Sequence, residues 1–349
     1  MKAAVWYGKK DVRIEDIPDA PPGEGYVKAR VYWCGICGTD LHEYEAGPIM
    51  IRMDPHPLTG IKPPVVLGHE FSGQVVECGS GVNNLEPGDR IVTNTLYTCG
   101  VCYWCKRGLY SICEKLGGIG LASHGAFAEY IHVKADQCYR IPPQVENDVA
   151  ALVEPMAAAV HAIRKGRVLE GDRVAVIGAG PIGLMALQAA RAAGASQLFA
   201  IEISQIRGRK AESYGAIHLN PLEKDYEARL LDHAGGVGPD VVIECVGASE
   251  TGPMAVNLVR RGGRAVIMGV FSKPSTLNFN DLVFTEKEVI GSLCYIDEFE
   301  TVLRLLADGR LSGEGLITGR IALDDLIEKG FGALLRNKEE HLKILVKPN

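Results

Sequence analysis

Apolar and polar residues alternate in two different ways along the chain, and the change falls near Asp148. Before that residue, short runs of alternating apolar residues are separated by frequent glycine and proline. This pattern is typical of β-strands joined by long loops. It predicts strands at 2–6, 26–34, 73–77, 90–94 and 127–133.

Beyond Asp148, a helical stretch through Leu152, Val160 and Ile163 leads into a regular alternation of strands and helices. Six buried strands are predicted, at 174–178, 198–202, 218–220, 241–245, 265–269 and 289–293. Such strands with helices between them indicate a doubly wound parallel sheet and an α/β fold. A helix at 299–307 and a strand at 342–346 follow. We expect this tail to rejoin the β-rich part, which gives domains of 1–153 with 294–349, and of 154–293.

The composition of the chain argues against some classes of binding partner. The 349 residues suffice for about two domains, and their formal charge is −6. Because no basic block is present, we expect neither a nucleic acid nor an anionic membrane as partner. Charged residues interrupt the N-terminus before a signal-peptide core develops, and no apolar run reaches membrane-spanning length. We therefore expect a soluble, cytoplasmic protein that acts on a small molecule.

Four of the ten cysteines lie close together, with C-x2-C-x2-C-x7-C spacing. In a reducing compartment, clustered cysteines are better explained by metal binding than by disulfides. Four thiolates fill the tetrahedral shell of zinc and leave no open position, as a structural site requires. The sequence therefore predicts a structural zinc ion held by Cys99, Cys102, Cys105 and Cys113.

A second candidate metal site combines different kinds of ligand. Cys37, His69 and a carboxylate such as Glu70 would supply three protein ligands and leave a fourth position for water or substrate. An open site of this kind is typical of catalytic zinc.

A glycine-rich segment follows the first predicted strand of the second domain. Gly178, Gly180 and Gly183 form a G-x-G-x-x-G fingerprint that opens an apolar helix, with Pro181 and Ile182 inside it. These glycines permit a tight turn, close approach of the backbone to a pyrophosphate, and close packing of the helix, whose N-terminus favours phosphate. The pattern predicts a dinucleotide site. The alternative is a nucleotide-free fold that keeps the glycines for packing.

An acidic residue follows the fingerprint at the expected distance. Glu202 ends the next predicted strand, where its carboxylate can bind the adenosine ribose hydroxyls and repel a 2′-phosphate. NAD is therefore favoured over NADP. Arg207 either lies against the adenosine end of the cofactor or is a solvated helix residue.

The motifs occur in the order found in a known family. Residues 37–42, 68–70, the cysteine quartet, 153–155 and the fingerprint resemble those of zinc-containing medium-chain alcohol and polyol dehydrogenases. Residues 56–60 and 343–348 make the chain most similar to the (R,R)-2,3-butanediol dehydrogenases, with sorbitol dehydrogenases close by. The resemblance implies a GroES-like catalytic domain, a Rossmann domain, catalytic and structural zinc, NAD, and a homo-oligomer, either dimer or tetramer.

The resemblance also implies the ligands of the catalytic zinc. Cys37, His69 and Glu154 would bind the ion, with Glu70 either a direct ligand or a carboxylate that exchanges with water. Glu154 stands where alcohol dehydrogenases proper have a second cysteine. Its alternative role is that of a charge at a helix N-terminus.

Three further residues receive roles from the resemblance. Thr39 would take the proton of the alcohol and pass it through the nicotinamide ribose to His42, which releases it to solvent. Asp40 would orient His69 by accepting its second ring proton.

The expected activity is interconversion of a vicinal diol and a hydroxyketone, with (R,R)-2,3-butanediol and acetoin as the preferred pair. Ile119 and Leu121 would make the pocket apolar, and Tyr295 either borders the substrate or belongs to the core. A sorbitol-like polyol dehydrogenase or a threonine dehydrogenase is the alternative within the class. A non-catalytic NAD-binding scaffold or sensor is the alternative from a different class.

Overall fold

The computed structural model describes residues 1–348, which form two compact units. The first unit comprises Met1–Glu154, Phe299–Ala307 and the residues from Ile317 onward. The second comprises Pro155–Glu298 and Asp308–Leu316. The sequence predicts divisions at 153/154 and 293/294, with the whole tail in the first domain, whereas residues 308–316 pack with the second unit.

The first unit is built mainly from short strands. In chain order its elements before residue 154 are β1 (Lys2–Gly8), β2 (Asp11–Asp16), β3 (Tyr26–Gly35), α1 (Gly38–Ala46), β4 (Val65–Val66), β5 (Glu70–Cys78), β6 (Arg90–Thr93), β7 (Leu96–Tyr97), β8 (Gly117–Gly118), β9 (Tyr130–Lys134), β10 (Cys138–Arg140) and α2 (Asn147–Ala150). Val27, Ala29 and Val31 of β3 are buried at every second position, as a half-buried strand requires. The core of this unit forms around Trp6, Leu67 and other apolar residues.

The second unit carries a regular succession of strands and helices. Its elements are α3 (Val153–Lys165), β11 (Arg173–Ile177), α4 (Pro181–Ala192), β12 (Gln197–Ile201), α5 (Gln205–Ser213), β13 (Ile217–Leu219), α6 (Tyr226–His233), β14 (Val241–Glu244), α7 (Thr251–Leu258), β15 (Arg264–Ile267), α8 (Phe279–Val283) and β16 (Glu288–Gly291). The six strands form one parallel sheet in the order β13-β12-β11-β14-β15-β16. The predicted α/β fold with a doubly wound parallel sheet is confirmed.

The prediction that all six strands are buried is wrong for the last one. β16, which forms one edge of the sheet, is largely exposed, with Val289 at 43% exposure. Its apolar sequence resembles that of the buried strands, so the pattern alone does not identify an edge.

The tail contains α9 (Glu298–Ala307), β17 (Ile317–Ala322), α10 (Gly332–Arg336) and β18 (Lys343–Lys347). β18 pairs antiparallel with β3 and parallel with β17 in a seven-stranded sheet of the first unit. The sequence analysis does not predict β17, whose residues alternate between half-buried and exposed positions. Among residues 1–348, no helix combines the length and the apolarity that a membrane span requires.

Candidate metal and dinucleotide sites

The first metal site is organised by Asp40, a fully buried carboxylate in the first turn of α1. Its Oδ2 accepts a hydrogen bond of 2.9 Å from the N–H of Cys37, the residue that caps the helix. Its Oδ1 accepts one of 3.3 Å from the N–H of Gly68. One side chain thus joins the loop that carries Cys37 to the residue before His69.

This arrangement brings three of the predicted ligands together. The donor atoms of Cys37, His69 and Glu70 lie within 4.8 Å of one another, and both His69 and Glu70 are buried. Nδ1 of His69 lies 3.7 Å from Oδ1 of Asp40 and has no hydrogen-bond partner among residues 1–348. At that distance the two groups attract through charge without a hydrogen bond, and the orienting role of Asp40 stays a prediction.

The groups around His69 favour its protonated, positively charged form. Burial acts to lower the pKa of His69, but the charge of Asp40 and the thiol of Cys37 outweigh burial and raise it well above the usual value. A thiol, an imidazole and a carboxylate are also a donor set that zinc binds in proteins. The residues present therefore fit a zinc ion.

Glu154 lies outside the tight cluster. It is half-buried as the second residue of α3, and its carboxylate is not among the donor atoms that lie within 4.8 Å of one another. Its charge nevertheless contributes to raising the pKa of His69. Its role as a zinc ligand stays a prediction.

Glu70 has a partner that the sequence analysis missed. Nζ of Lys343, on β18, donates to both carboxylate oxygens of Glu70 at 2.8 and 2.7 Å and to the carbonyl of Ile36 at 3.0 Å. Lys343 is only 3% exposed, and although burial acts to lower its pKa, the charge of Glu70 raises it. A lysine that opens an apolar strand was the available signal, because a buried ammonium needs a buried carboxylate.

The two residues of the predicted proton relay share α1. Thr39 is half-buried near the helix N-terminus, and His42 is exposed three residues further along. Residues three apart lie on the same helix face. The roles of both stay predictions.

The cysteine quartet also converges. The donor atoms of Cys99, Cys102, Cys105 and Cys113 lie within 4.8 Å of one another, and Sγ of Cys99 is 3.9 Å from Sγ of Cys105. Backbone N–H groups donate to three of the sulfurs, at 3.3 to 3.5 Å.

Backbone hydrogen bonds and burial shift the pKa values of these thiols in opposite directions. Backbone hydrogen bonds, above all the one from the N–H of Cys105, lower the pKa of Cys102 to about 6. Burial raises the pKa of Cys105 to about 12. Sulfurs this close repel one another once ionised, so a complete set of thiolates requires a cation among them. The quartet fits a closed zinc site.

In the second unit, the glycine fingerprint connects β11 to α4. Gly178 follows the strand with a φ of 89°, and Gly180 caps the helix that begins at Pro181. A Cβ on Gly183 would lie 1.8 Å from the carbonyl oxygen of Gly178, so only glycine fits there. The segment therefore has the strand–turn–helix context in which a pyrophosphate meets a helix N-terminus.

Glu202 is tied to this turn. Its Oε2 accepts a hydrogen bond of 2.7 Å from the N–H of Ala179, inside the fingerprint, and its Oε1 accepts one of 2.8 Å from Ser204. Nη1 of Arg207 lies 3.8 Å from the position that a Cβ on Gly180 would take. An anionic and a cationic side chain thus border the fingerprint, and their contacts with a cofactor stay predictions.

Sequence reasoning missed a second carboxylate at the same edge of the sheet. Glu244, fully buried, ends β14, the neighbour of β11, where the strand order reverses. Its Oε1 accepts hydrogen bonds from the N–H groups of Val246 and Gly247 and from the hydroxyl of Thr251, at 2.7 to 2.8 Å. Its Oε2 has no hydrogen-bond partner among the described residues. The glutamate in an otherwise apolar strand was the only signal.

The residues expected to shape the substrate pocket are mostly buried. Ile119 is 2% exposed and belongs to the core of the first unit, and Leu121 packs against that core. Tyr295 is fully buried. Their role in specificity stays a prediction.

The two units match two known domain families. The alcohol dehydrogenase GroES-like domain matches residues 23–143, and the zinc-binding dehydrogenase domain matches residues 181–308. The chain belongs to the zinc-binding alcohol dehydrogenases and is a zinc- and NAD-dependent enzyme.

Particular relatives agree over the whole length. An (R,R)-butanediol dehydrogenase of Bacillus subtilis is 44% identical over 353 residues, with 100% of both chains covered. The crystal structure of 2R,3R-butanediol dehydrogenase from Bacillus subtilis superposes with a TM-score of 0.95 at 42% identity, covering 100% of this chain and 99% of that one. A sorbitol dehydrogenase of Halalkalibacterium halodurans is 33% identical, with 100% and 99% covered. The resemblance to the butanediol branch is confirmed.

Proposed function

We propose that this protein interconverts (R,R)-2,3-butanediol and acetoin, with NAD and NADH as the cofactor pair. The observation that carries the proposal is the full-length similarity to an enzyme of that name, at 44% identity. The buried cluster of Cys37, His69 and Glu70 supports it, because the donor set fits a catalytic zinc ion.

Cys37 and His69 hold the zinc ion in this proposal, together with a carboxylate from Glu154 or Glu70. A zinc ion held there would make the hydroxyl of a bound alcohol more acidic, and NAD would supply the hydride acceptor. Gly178, Gly180 and Gly183 let the backbone approach the pyrophosphate of NAD. Pro181 and Ile182 begin the helix that follows, while Glu202 and Arg207 border the adenosine half.

The proton leaves along α1. The hydroxyl of Thr39 would accept the proton of the substrate hydroxyl while it releases its own proton toward His42, and His42 would deliver a proton to water. The exposure of His42 supports this role, because a proton acceptor at the surface exchanges directly with solvent. Asp40 would keep the two metal-binding segments in place, because its carboxylate accepts hydrogen bonds from the N–H of Cys37 and from that of Gly68, the residue before His69.

The activity is tested by following NADH formation with (R,R)-, (S,S)- and meso-2,3-butanediol, sorbitol and threonine on one zinc-replete preparation. We expect kcat/KM for (R,R)-2,3-butanediol to exceed that for sorbitol and threonine by tenfold or more, about 1.4 kcal/mol in the transition state. A preference for sorbitol or threonine would contradict the proposed substrate and keep the mechanism. Zinc-loaded protein that oxidises no alcohol would contradict both.

We also propose that the protein forms a homo-oligomer through the edge of its parallel sheet. β16 pairs with β15 on one side, and within residues 1–348 no strand pairs with its other side. Nearby on α8 and just after it, Phe279, Val283 and Phe284 are 69 to 75% exposed. An uncovered strand edge beside exposed aromatic residues favours association with the same surface of a second copy.

The compartment we propose is the cytoplasm. All ten cysteines are free thiols, and the quartet requires its four sulfurs in the reduced state to bind zinc. Reducing conditions of that kind are those of the cytosol.

A further inference from the structure

The carboxylate of Glu70 is bound to a cation of the chain itself, the ammonium of Lys343. Nζ of Lys343 donates to both carboxylate oxygens, at 2.8 and 2.7 Å, and to the carbonyl oxygen of Ile36 at 3.0 Å. An ammonium has three N–H donors, so these three contacts use all of them. The side chains of Glu70 and Lys343 are only 1% and 3% exposed. The pair is therefore a closed arrangement in the interior, where water screens the charges little.

Three neighbouring strands bring this pair together. Glu70 opens β5 and pairs with Gly35, the last residue of β3, and Lys343 opens β18, which lies on the other side of β3. The side chain of Glu70 therefore has to pass over Gly35 to reach the ammonium. A Cβ on Gly35 would collide with Oε2 of Glu70, so only glycine leaves room for this contact.

Lys343 also contacts the candidate metal cluster at a second place. The carbonyl that accepts its third N–H belongs to Ile36, the residue before Cys37. Glu70 itself is one of the three residues whose donor atoms lie within 4.8 Å of one another, together with Cys37 and His69. Lys343 thus binds one candidate ligand directly and holds the residue that precedes another.

Two cations share one carboxylate when a metal ion occupies this cluster. A carboxylate that donates its lone pairs to an ammonium has less negative charge to offer to a metal ion. A buried carboxylate that has lost its cation is costly, and it gains correspondingly more from binding a metal ion. The charge of Lys343 should therefore weaken the bond between Glu70 and the ion.

We propose that Lys343 is a positioning residue, which limits how tightly Glu70 binds a metal ion in the cluster with Cys37 and His69. This proposal rests on the proposed function, because it concerns the zinc site of that reaction. Three protein ligands leave a position of zinc free for the substrate, whereas a fourth permanent ligand closes the site. A carboxylate shared with Lys343 gives way to a substrate hydroxyl more easily than one held by the metal alone.

The first test measures how fast zinc passes from the protein to a chelator. In Lys343→Met we expect zinc to leave the cluster about tenfold more slowly, because the unpaired carboxylate of Glu70 then holds the ion more tightly. Lys347→Met is the matched control, because Lys347 is an exposed lysine at the other end of the same strand. Equal or faster release in Lys343→Met would overturn the proposal, since a lysine that only holds the cluster together should lose zinc faster when it is replaced.

A second variant separates charge from structure and keeps the test decisive if Lys343→Met does not fold. Lys343→Gln retains an N–H donor for Glu70 but has no charge. The proposal expects slow release in this variant, whereas a purely structural role expects the rate of the unmodified protein. The zinc ion of this cluster is recognised as the one that Cys37→Ser lacks, while the cysteine quartet keeps its own.

The third test replaces zinc by cobalt(II), whose visible absorption bands depend on its ligands. The bands of the cluster are those that Cys37→Ser lacks. In Lys343→Gln we expect these bands to differ from those of the unmodified protein and to change less when (R,R)-2,3-butanediol is added. Identical spectra in the presence and absence of the diol would contradict the proposal.

Zinc release requires no substrate, so it distinguishes a failure of this proposal from a failure of the proposed function. A protein that prefers sorbitol or threonine would refute the proposed substrate, and slow release in Lys343→Met would still support the role of Lys343. A preparation that binds zinc in the cysteine quartet alone would refute both proposals.

Discussion

At the scale of single residues, the candidate metal site and the candidate dinucleotide site each contain a buried carboxylate. Hydrogen-bond donors hold each of these carboxylates in one orientation. Glu202 illustrates this in the second unit, where Ala179 and Ser204 donate to its two oxygens. A carboxylate held in one orientation presents its remaining lone pairs in a fixed direction. It also repels a phosphate placed beside it.

Replacement of Glu202 by Gln should weaken the preference for NAD. Loss of the charge removes both the strong acceptor for ribose hydroxyls and the repulsion of a 2′-phosphate, so we expect the ratio of kcat/KM for NAD to that for NADP to fall roughly tenfold or more. Steady-state kinetics with both cofactors measure this ratio. Glu212→Gln, an exposed carboxylate on α5, should leave the ratio unchanged.

Replacement of Lys343 by Met should destabilise the first unit. It leaves the carboxylate of Glu70 buried without its cation, which typically costs about 3 to 5 kcal/mol of unfolding free energy. The double variant Lys343→Met/Glu70→Leu should recover part of that loss, because no charge then remains unpaired. Urea unfolding of zinc-free protein compares the two variants, and equal destabilisation would show that the ion pair is not the cause.

The roles of residues that belong to a sequence motif could be predicted from the sequence. The roles of residues that depend on a partner far away in the chain could not. The cluster of Cys37, His69 and Glu70 could be predicted from known ligand chemistry and from the resemblance to a known family. Lys343 binds Glu70 from 273 positions further along the chain, and no local pattern shows such a pairing. Glu244 was missed because its partners, two backbone N–H groups and the hydroxyl of Thr251, form no recognisable sequence pattern.

At the scale of secondary structure, the ends of elements with a strongly periodic sequence were predicted to within one to three residues. The strand expected at 174–178 is Arg173–Ile177, and the helix expected at 299–307 is Glu298–Ala307. β17 was missed because its sequence, Ile-Thr-Gly-Arg-Ile-Ala, has neither an apolar run nor a buried face. Its position depends on pairing with β18, a tertiary effect.

The segment at 296–298 depends on the ionised carboxylate of Glu298. Nδ1 of His161 lies 2.9 Å from its Oε1, and the N–H groups of Ile296 and Asp297 donate to its Oε2 at 2.6 and 3.1 Å. Burial acts to raise the pKa of Glu298, but the hydrogen bonds from His161 and Ile296 outweigh burial and lower it to about 2. The lowered pKa means that this stabilisation is present above the ordinary value of 4.5 and is lost as the pH falls toward 2.

Glu298→Gln should lower the unfolding free energy by about 2 kcal/mol at pH 7, as expected for hydrogen bonds to a charged group. The difference from the unmodified protein should shrink as the pH falls from 4.5 toward 2, because Glu298 takes up its proton in the unfolded chain first and in the folded protein only near pH 2. Urea unfolding of the second unit at pH 7, 4 and 3 measures it. A difference that does not depend on pH would rule out the ionised form as the stabilising one.

The cysteine lobe, residues 99–113, has little structure of its own. It contains two short 3₁₀-helical turns, at Cys105–Arg107 and Tyr110–Ile112, and exposes several large apolar side chains, including Val101 at 69%. Without a core, its fold must depend on the metal.

In Cys102→Ser we therefore expect one zinc ion fewer per chain and new protease cleavage within residues 99–113, while the second unit stays folded. Metal analysis and mass spectrometry of limited digests measure both effects. Cys78→Ser, which changes a thiol outside the quartet, should keep its zinc. A lobe that resists cleavage after losing the ion would contradict the metal's structural role.

At the scale of the whole molecule, the association that we propose would depend on β16. In Val289→Lys we expect a smaller assembly than in the unmodified protein, because a lysine on a strand edge disfavours pairing with a second strand. Light scattering after size-exclusion chromatography measures the mass. Leu222→Lys, at a 77% exposed position away from this edge, should leave the mass unchanged. A full-size Val289→Lys assembly would place the interface elsewhere.

The ion pair between Glu70 and Lys343 can form only late in the synthesis of the chain. At about 5 to 20 residues per second, Glu70 leaves the ribosome roughly 15 to 55 seconds before Lys343, and residues 155–298 emerge in between. Cys99 and Cys113 are only 14 positions apart, so their site is complete within about three seconds. All four thiols of the quartet are therefore available to a zinc ion long before Lys343 can pair with Glu70.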